Sequence, residues 1–265
     1  MGVINVTPDS FSDGGVFLDP AQAVEAGMQM VADGADLLDV GGESTRPGAH
    51  ALDVAEEHRR VLPVIEALAS RANVPISVDT YKASIAKAAL DAGAAMVNDI
   101  SGLRYEPGLA QVVASRRAPI ILMHTRGRSK DMYKQAVYSE VVDEVLDELR
   151  ESIAFATGAG IVKDAILVDP GLGFAKEPMH SYEVLGRLGE FSDLGRPIVV
   201  GPSRKGFLTR PLPKEISATE RDWPTAAAVT AAVIAGAHIV RVHAVREMVP
   251  VVRVADEIRK YHREH

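Results

Sequence analysis

The chain has 265 residues, of which 47% are apolar and 25% are charged, and its 29 Lys and Arg against 36 Asp and Glu give a net charge of −7. This balance is typical of a soluble globular protein and argues against disorder, collagen-like repeats and nucleic-acid binding. There is no cysteine, which excludes disulfides, thiolate nucleophiles, Cys-ligated zinc and iron–sulfur clusters. The sequence contains neither a signal peptide nor a long apolar stretch, so we expect a cytoplasmic protein that does not bind membranes.

Short apolar runs recur along the chain, and each is predicted to form a buried strand. The runs cover residues 2–6, 36–41, 75–79, 95–99, 119–124, 165–169, 197–201 and 239–243. Between them, apolar residues fall at helical spacing, as in Val61, Val64, Ile65 and Leu68. Strands that are apolar on both faces and alternate with helices indicate a parallel α/β sheet. Eight such units favour a single (β/α)8 TIM barrel over residues 1–265, with a doubly wound sheet as the alternative.

The connections between these units differ in composition. Two glycine-rich loops, residues 8–19 and 41–52, follow the first and second strands and could close over a ligand. Residues 203–222 form the most irregular segment, which we interpret as a loop that could contain a short helix. Helix 225–236 has almost no polar face, so we expect it to be buried on several sides or to contact another subunit.

Polar side chains stand at the carboxyl end of every predicted strand. In a parallel barrel these ends meet at one face, where barrel enzymes have their active sites. Capping of the next helix explains a single residue of this kind, but polar residues at every strand end favour a ligand site. The strand-end residues are Asn5, Asp39, Asp79, Asn98, Asp99, His124, Asp169, Ser203, Arg204, Lys205, Arg241 and His243.

The candidate site residues divide into two groups of opposite polarity. One group offers acceptors, which suit a heterocycle with several N–H donors along one edge. The other offers donors and positive charge, which suit phosphate oxygens. The expected ligand therefore has a donor-rich ring and a phosphate or diphosphate, and salt bridges between the two groups are the alternative. The acceptors are Asp79, Asn98 and Asp169, and the donors are Arg46, Lys205, Arg241 and His243.

No sequence motif identifies a metal site by itself, because HExxH and EF-hand patterns are absent. Asn5, Asp9 and Asp13 do offer oxygen ligands of the kind that Mg²⁺ accepts beside substrate phosphates. Asp9 follows Pro8 and is better explained as a turn residue. The segment GPSRKG at 201–206 lacks the spacing of a phosphate-binding P-loop, which excludes a P-loop ATPase.

Eight segments of the chain resemble the dihydropteroate synthase family, in order and one per strand end. They are NVTPDSFSDGG (5–15), DVGGESTRPGA (39–49), SVDT (77–80), VNDISG (97–102), LMH (122–124), DPGLGF (169–174), GPSRKGFL (201–208) and RVH (241–243). The resemblance implies a barrel transferase that joins 6-hydroxymethyl-7,8-dihydropterin diphosphate to 4-aminobenzoate, giving 7,8-dihydropteroate and diphosphate in folate biosynthesis. It also implies a Mg²⁺ cofactor, a homodimer through the C-terminal helices and sensitivity to sulfonamides.

The resemblance further implies roles for single residues at the matching positions. The pterin set would be Asp79, Asn98, Met123, Asp169 and Lys205. The diphosphate set would be Asn5, Thr45, Arg46, Arg241 and His243, with Asn5 also contacting Mg²⁺. The walls of the aminobenzoate site would be Phe11, Pro47 and Phe174, and Asp13 would support the bound magnesium. The residues expected to act in catalysis are Asp13, Arg46, Lys205, Arg241 and His243.

Some positions depart from the family's usual pattern, although none belongs to these sets. They are Gly206, Trp223 with Pro224, and Ala244, which stands where the family often has Asp. Two other functions stay open. A methyltransferase barrel acting on a methylated folate would have little need for Arg46 and Arg241. A non-catalytic pterin-binding paralogue would be expected to lose loop residues that are all present here.

Overall fold

The computed structural model describes residues 1–7, 20–45, 48–213 and 216–261. The predictions for the first glycine-rich loop, residues 8–19, lie outside the described residues, and so do those for four residues with predicted site roles and for Asp9. The four are Phe11, Asp13, Arg46 and Pro47.

Within the described residues, eight parallel strands form the centre of the fold. They are β1 (Gly2–Asn5), β2 (Leu38–Gly41), β3 (Ile76–Asp79), β4 (Met96–Asp99), β5 (Ile120–Met123), β6 (Ile166–Asp169), β7 (Val199–Val200) and β8 (Ile239–Val240). Strands β1 to β6 pair in chain order, and β7 pairs with β8. Single parallel bridges, Val168 with Ile198 and Gly2 with Val242, join the two sheets at both edges. The strands therefore follow one another around a closed ring, which confirms the barrel and not the doubly wound sheet.

Helices alternate with the strands as predicted. They are α1 (Pro20–Ala32), α2 (Val54–Arg71), α3 (Ala83–Asp91), α4 (Leu109–Arg116), α5 (Val141–Gly158), α6 (Pro178–Gly186), α7 (Asp222–Ile234) and α8 (Val245–Arg259). Helix α2 shows how the sequence sets these elements, because Asp53 caps it by accepting from the backbone N–H groups of Ala55 and Glu56. Short 3-10 turns at Gly206–Thr209 and Thr219–Arg221 interrupt the irregular segment 203–222.

Alternate residues of each strand face opposite sides of the sheet. One side packs against the helices, and its residues include Val40, Val78 and Ile120. The other side faces the inside of the ring, where a smaller apolar cluster contains Met1, Leu37, Ile121, Leu167 and Val199. This inner cluster fills the lower part of the ring, so the inward-facing residues beyond it line the carboxyl-terminal mouth.

Helix α7 packs against α8 and buries Thr225, Ala228, Val229, Ala232 and Val233. Its apolar sequence is therefore explained in part by burial within one chain. In the part of the chain that the structure describes, no helix combines the length and the apolar character needed to cross a bilayer.

Candidate active site

Strand register brings the predicted residues to a common level at the mouth of the barrel. Asn5 is the register partner of Gly41, Gly41 of Asp79, and Asp79 of Asn98. On the far side of the ring, Met123 pairs with Asp169. Gly41 leaves room for the side chain of Asp79, because a Cβ at position 41 would lie 3.2 Å from the Cβ of Asp79, which is closer than ordinary van der Waals contact.

The centre of the mouth is an arginine held between two carboxylates. Arg241 Nε donates to Asp39 Oδ2 at 2.6 Å, and its Nη2 donates to Asp79 Oδ2 at 2.8 Å. Asn98 Nδ2 donates to the same oxygen of Asp39 at 2.9 Å. The salt bridge expected as an alternative thus forms for Arg241, and it places this cation in contact with Asp79, a predicted pterin-binding residue.

Burial changes the acidity of the groups at the mouth. It raises the pKa of Asp79 to about 7, although the positive charge of Arg241 opposes the shift. Burial also raises the pKa of Asp169, where the opposing charge is Lys205. The Lys205 ammonium shifts in the other direction, because burial lowers its pKa to about 8 against the attraction of Asp169. Perturbed groups of both signs in one concave site are typical of a functional centre.

Asp169 and Lys205 both form hydrogen bonds with the backbone of the loop that follows β6. Asp169 Oδ1 accepts from the backbone N–H of Gly171 at 2.7 Å. Lys205 Nζ donates to the carbonyl oxygen of Leu172 and lies 4.3 Å from the centre of the Phe174 ring. The loop therefore places Lys205 against an aromatic face, which stabilises its charge.

His243 and Asn5 form the opposite rim of the mouth. The Nδ1 atom of His243 is 2.9 Å from Ser203 Oγ, which also accepts from the backbone N–H of His243 at 3.1 Å. The Nε2 atom is 3.4 Å from Asn5 Nδ2. Ser203 thus fixes the imidazole ring so that its second nitrogen faces Asn5.

An apolar wall closes one side of the site. Met123 forms a buried cluster with Tyr81 and Ile100, against which Phe174 and Tyr105 pack. The rings of Tyr81 and Tyr105 meet edge to face with centroids 5.2 Å apart. The sequence indicated Met123 and Phe174 only through the family resemblance, and it gave no signal for the two tyrosines.

Behind this wall, the loop 170–175 rests on a buried polar group that the sequence did not reveal. Lys176 Nζ lies 2.8 Å from His124 Nδ1 and donates to the Phe174 carbonyl oxygen at 3.2 Å, while His124 Nε2 lies 3.1 Å from Glu148. Burial lowers the pKa of His124 to about 3 and also lowers the pKa of Lys176. His124 stands at a strand end as expected, but its ring faces α5 and the base of the loop.

The second glycine-rich loop is anchored at both of its ends. Glu43 Oε2 accepts from the backbone N–H of Leu52 at 2.9 Å and from Lys82 Nζ at 2.6 Å. Lys82 also contacts Glu57, which is buried on α2. Thr45 is half-buried at the end of this described segment, next to Arg46 and Pro47, which lie outside the described residues.

Comparison with known proteins agrees with this geometry. The family described as "Pterin binding enzyme" matches residues 1–243. Dihydropteroate synthase from Synechocystis sp. is 44% identical over 262 residues, which cover 97% of this chain and 89% of that protein. The crystal structure of Yersinia pestis dihydropteroate synthase with a sulfonamide drug superposes with a TM-score of 0.92 at 39% identity, covering 98% of this chain and 93% of that one.

A second solved structure, Xanthomonas albilineans dihydropteroate synthase with 4-aminobenzoic acid, has a TM-score of 0.90 at 43% identity and covers 97% of this chain and 91% of that one. These relatives are transferases and share the barrel with this chain over almost their whole length. The chain therefore belongs to the pterin-binding enzymes and, within them, to the dihydropteroate synthases.

Proposed function

We propose that this mouth binds 6-hydroxymethyl-7,8-dihydropterin diphosphate and 4-aminobenzoate and joins them, with release of diphosphate. The observation that carries the proposal is the arrangement of acceptors and cations within one site. Asp79 and Asn98 are register partners, and Arg241 lies in hydrogen-bond contact with Asp79. A substrate with a donor-rich ring and an anionic leaving group matches both polarities.

At the pterin end, the ring would lie on the apolar side of Met123 with its N–H groups directed at Asp79, Asn98 and Asp169. Carboxylates accept such donors strongly when they are ionised. The ammonium of Lys205 is attracted by Asp169 and lies over the ring of Phe174. Lys205 would therefore contact the pterin ring or its exocyclic oxygen.

At the diphosphate end, Arg241, His243, Thr45 and Arg46 would hold the leaving group. As the carbon–oxygen bond breaks, negative charge grows on the diphosphate and positive charge spreads into the pterin ring. Fixed cations stabilise the first charge, and the carboxylates beneath the ring stabilise the second. The amine of 4-aminobenzoate then attacks the exposed carbon and loses a proton, so the enzyme needs no nucleophile of its own. Phe11, Pro47 and Phe174 would form the walls that hold this amine.

We further propose a Mg²⁺ ion at Asn5. The amide nitrogen of Asn5 faces His243, and the amide oxygen is a ligand of the kind that Mg²⁺ accepts. Asp13 would support the ion from the first glycine-rich loop. When bound, Mg²⁺ would neutralise part of the charge on the departing diphosphate.

Measuring diphosphate release with and without 4-aminobenzoate tests the reaction. We expect release that depends on 4-aminobenzoate and equals the dihydropteroate formed, and that stops when Mg²⁺ is chelated. Methyl transfer from a methylated folate would identify the methyltransferase alternative. Pterin binding without turnover under any condition would identify the non-catalytic paralogue.

Sulfonamides resemble 4-aminobenzoate, and a related enzyme from Yersinia pestis binds one. Because Phe11, Pro47 and Phe174 match the family's drug-sensitive pattern, we expect sulfamethoxazole to compete with 4-aminobenzoate. Insertion of an aromatic residue beside Pro47 should weaken the drug more than the substrate, since added bulk excludes the larger molecule. Steady-state kinetics at varied 4-aminobenzoate measures both effects. Full activity at drug concentrations far above the KM for 4-aminobenzoate would contradict the prediction.

We also propose a homodimer formed through α7 and α8. Large apolar side chains near these helices are exposed, and in the described residues they include Trp223, Val254, Ile258 and Tyr261. Apolar surface of this kind, next to the helix pair, favours contact with a second copy of the chain.

A further inference from the structure

Asp39 lies inside the barrel with no exposed surface, and it belongs to neither set of proposed ligand-binding residues. Its Oδ2 accepts one hydrogen bond from Asn98 and one from Arg241. Its Oδ1 has no hydrogen-bond partner among the described residues. The same is true of the Oγ atom of Ser77, its register partner on β3. Both hydrogen bonds of the Asp39 side chain therefore run to residues of the site.

Such a carboxylate is costly to the fold. Burial of a charge is repaid only when hydrogen bonds satisfy it fully, and one oxygen of Asp39 lacks this compensation. Asp39 also lies two residues before Gly41, which is the residue level with Asp79 and Asn98. It therefore sits one layer below the ligand-binding level, where it reaches the site only through other side chains.

We propose that Asp39 is a positioning residue that orients Asn98 and Arg241 before the substrate arrives, an inference that rests on the proposed function. The two ends of an asparagine amide have nearly the same shape but opposite hydrogen-bonding roles. An ionised carboxylate accepts and cannot donate, so Asp39 holds the Nδ2 of Asn98 and leaves its Oδ1 to accept from the pterin ring. Asp39 thereby sets the direction of the hydrogen bond between the pterin ring and Asn98 without touching the ligand.

The same carboxylate holds Arg241 at Nε, behind the terminal nitrogens of the guanidinium. Asp79 contacts one of those terminal nitrogens, Nη2. When ring donors engage Asp79, Arg241 stays anchored through Asp39 and its terminal nitrogens turn to the substrate. Asp39 thereby lets Asp79 change partners while the arginine keeps its place.

The variant Asp39→Asn tests this role, because asparagine keeps the shape but brings an NH2 group that cannot specify the orientation of Asn98. The matched control is Asp99→Asn. Asp99 is equally buried at a neighbouring strand end, but it accepts from the backbone N–H groups of Ser101 and Leu103 and from the Ser101 hydroxyl, and from no predicted ligand-binding residue. The probe is 6-hydroxymethyl-7,8-dihydropterin, which lacks the diphosphate. We expect its Kd to rise at least about tenfold in Asp39→Asn and to stay within about twofold in Asp99→Asn.

A second measurement uses the unsubstituted protein without added ligand. Nitrogen-15 NMR should show the Nε–H of Arg241 and the side-chain NH2 of Asn98 protected from solvent exchange, and Asp39→Asn should lose both protections. Rapid exchange of these protons in the unsubstituted protein would overturn the proposal, as would an unchanged Kd in a folded Asp39→Asn. If the unsubstituted protein binds no pterin, the proposed function fails, and the exchange data still decide the role of Asp39.

Discussion

Asp79 shows how its place in the barrel changes the chemistry of a single residue. Burial raises its pKa to about 7, so the carboxyl group carries a proton in part of the molecules at neutral pH. A protonated carboxyl has lost acceptor capacity toward ring N–H groups. We therefore expect the affinity for 6-hydroxymethyl-7,8-dihydropterin to increase as the pH rises from 6 to 8, and to stop increasing above that range, where Lys205 loses its proton. The increase cannot exceed about tenfold per pH unit.

Isothermal titration calorimetry at several pH values measures this dependence, and the ring-only ligand avoids titration of a diphosphate. Asp79→Asn should bind more weakly and with little change between pH 6 and 8. A flat pH profile for the unsubstituted protein would show that Asp79 is fully ionised or does not contact the ring.

His124 provides a second test at the scale of one residue. Its pKa is lowered to about 3 in the folded protein by burial, whereas in the unfolded chain it is close to the ordinary value of 6.5. Between these values the unfolded state binds more protons, so His124 makes the protein less stable as the pH falls through this range. A variant without the imidazole escapes this loss. Relative to the unsubstituted protein, His124→Asn should gain about 2 kcal/mol between pH 7 and pH 5.

Urea unfolding at pH 7 and pH 5 measures how the difference in free energy of unfolding between His124→Asn and the unsubstituted protein changes. The absolute cost of the substitution at pH 7 does not affect this change. His238→Asn is the control, because His238 is an exposed histidine just before β8. Equal changes for the two variants would mean that His124 is not held neutral by its surroundings.

At the scale of elements, α8 begins without a side-chain cap, whereas α2 is capped by Asp53. Ala244 is its N-cap residue and makes no side-chain hydrogen bond. An aspartate at this position would accept from the first free N–H groups and would interact favourably with the helix dipole. We expect Ala244→Asp to stabilise the protein by about 0.5–2 kcal/mol. Urea unfolding measures the gain, and Ala244→Val, which cannot cap, should give none.

The elements themselves were largely predictable from sequence. All eight strands fall within the predicted apolar runs, because buried parallel strands must be apolar on both faces. Helix α7 begins at Asp222, three residues before its predicted start, since Pro224 is tolerated in a first helical turn. The ligand-facing residues were found because strand ends of a parallel barrel share one face.

The partnerships between side chains were not predictable in the same way. Asp39 is 59 residues from Asn98 and 202 from Arg241 in the sequence, and only the register of the closed ring brings them together. Lys176 gave no signal because the loop 170–175 must fold before His124 becomes its neighbour. In that loop Gly171 has φ +70°, and a Cβ there would lie 2.0 Å from the His124 carbonyl oxygen. A packing constraint of this kind is visible only in three dimensions.

At the scale of the whole molecule, the proposed homodimer can be tested directly. Light scattering at micromolar concentration should give about twice the chain mass of 28.3 kDa. Val254→Asp on α8 should shift the protein toward monomer, because the substitution puts a charge into the apolar contact. Val162→Asp is a matched control, since Val162 is similarly exposed at 59% against 61% but lies before β6. A clean monomer before any substitution would contradict the proposal.

The closure of the ring has a consequence for the order in which the molecule can become active. Val242 N–H donates to the Met1 carbonyl oxygen, and Val3 N–H donates to the Val242 carbonyl oxygen, so the first strand completes its pairing with the last. Arg241 crosses the same seam to reach Asp39. During synthesis the acceptors on β2 to β4 leave the ribosome long before this arginine does. Because loop-closure entropy opposes contacts between such distant parts of a chain, we expect these contacts to form late in folding. Competence to bind the diphosphate would then appear in one step, when the final strand docks, and a partly folded chain would not retain the substrate.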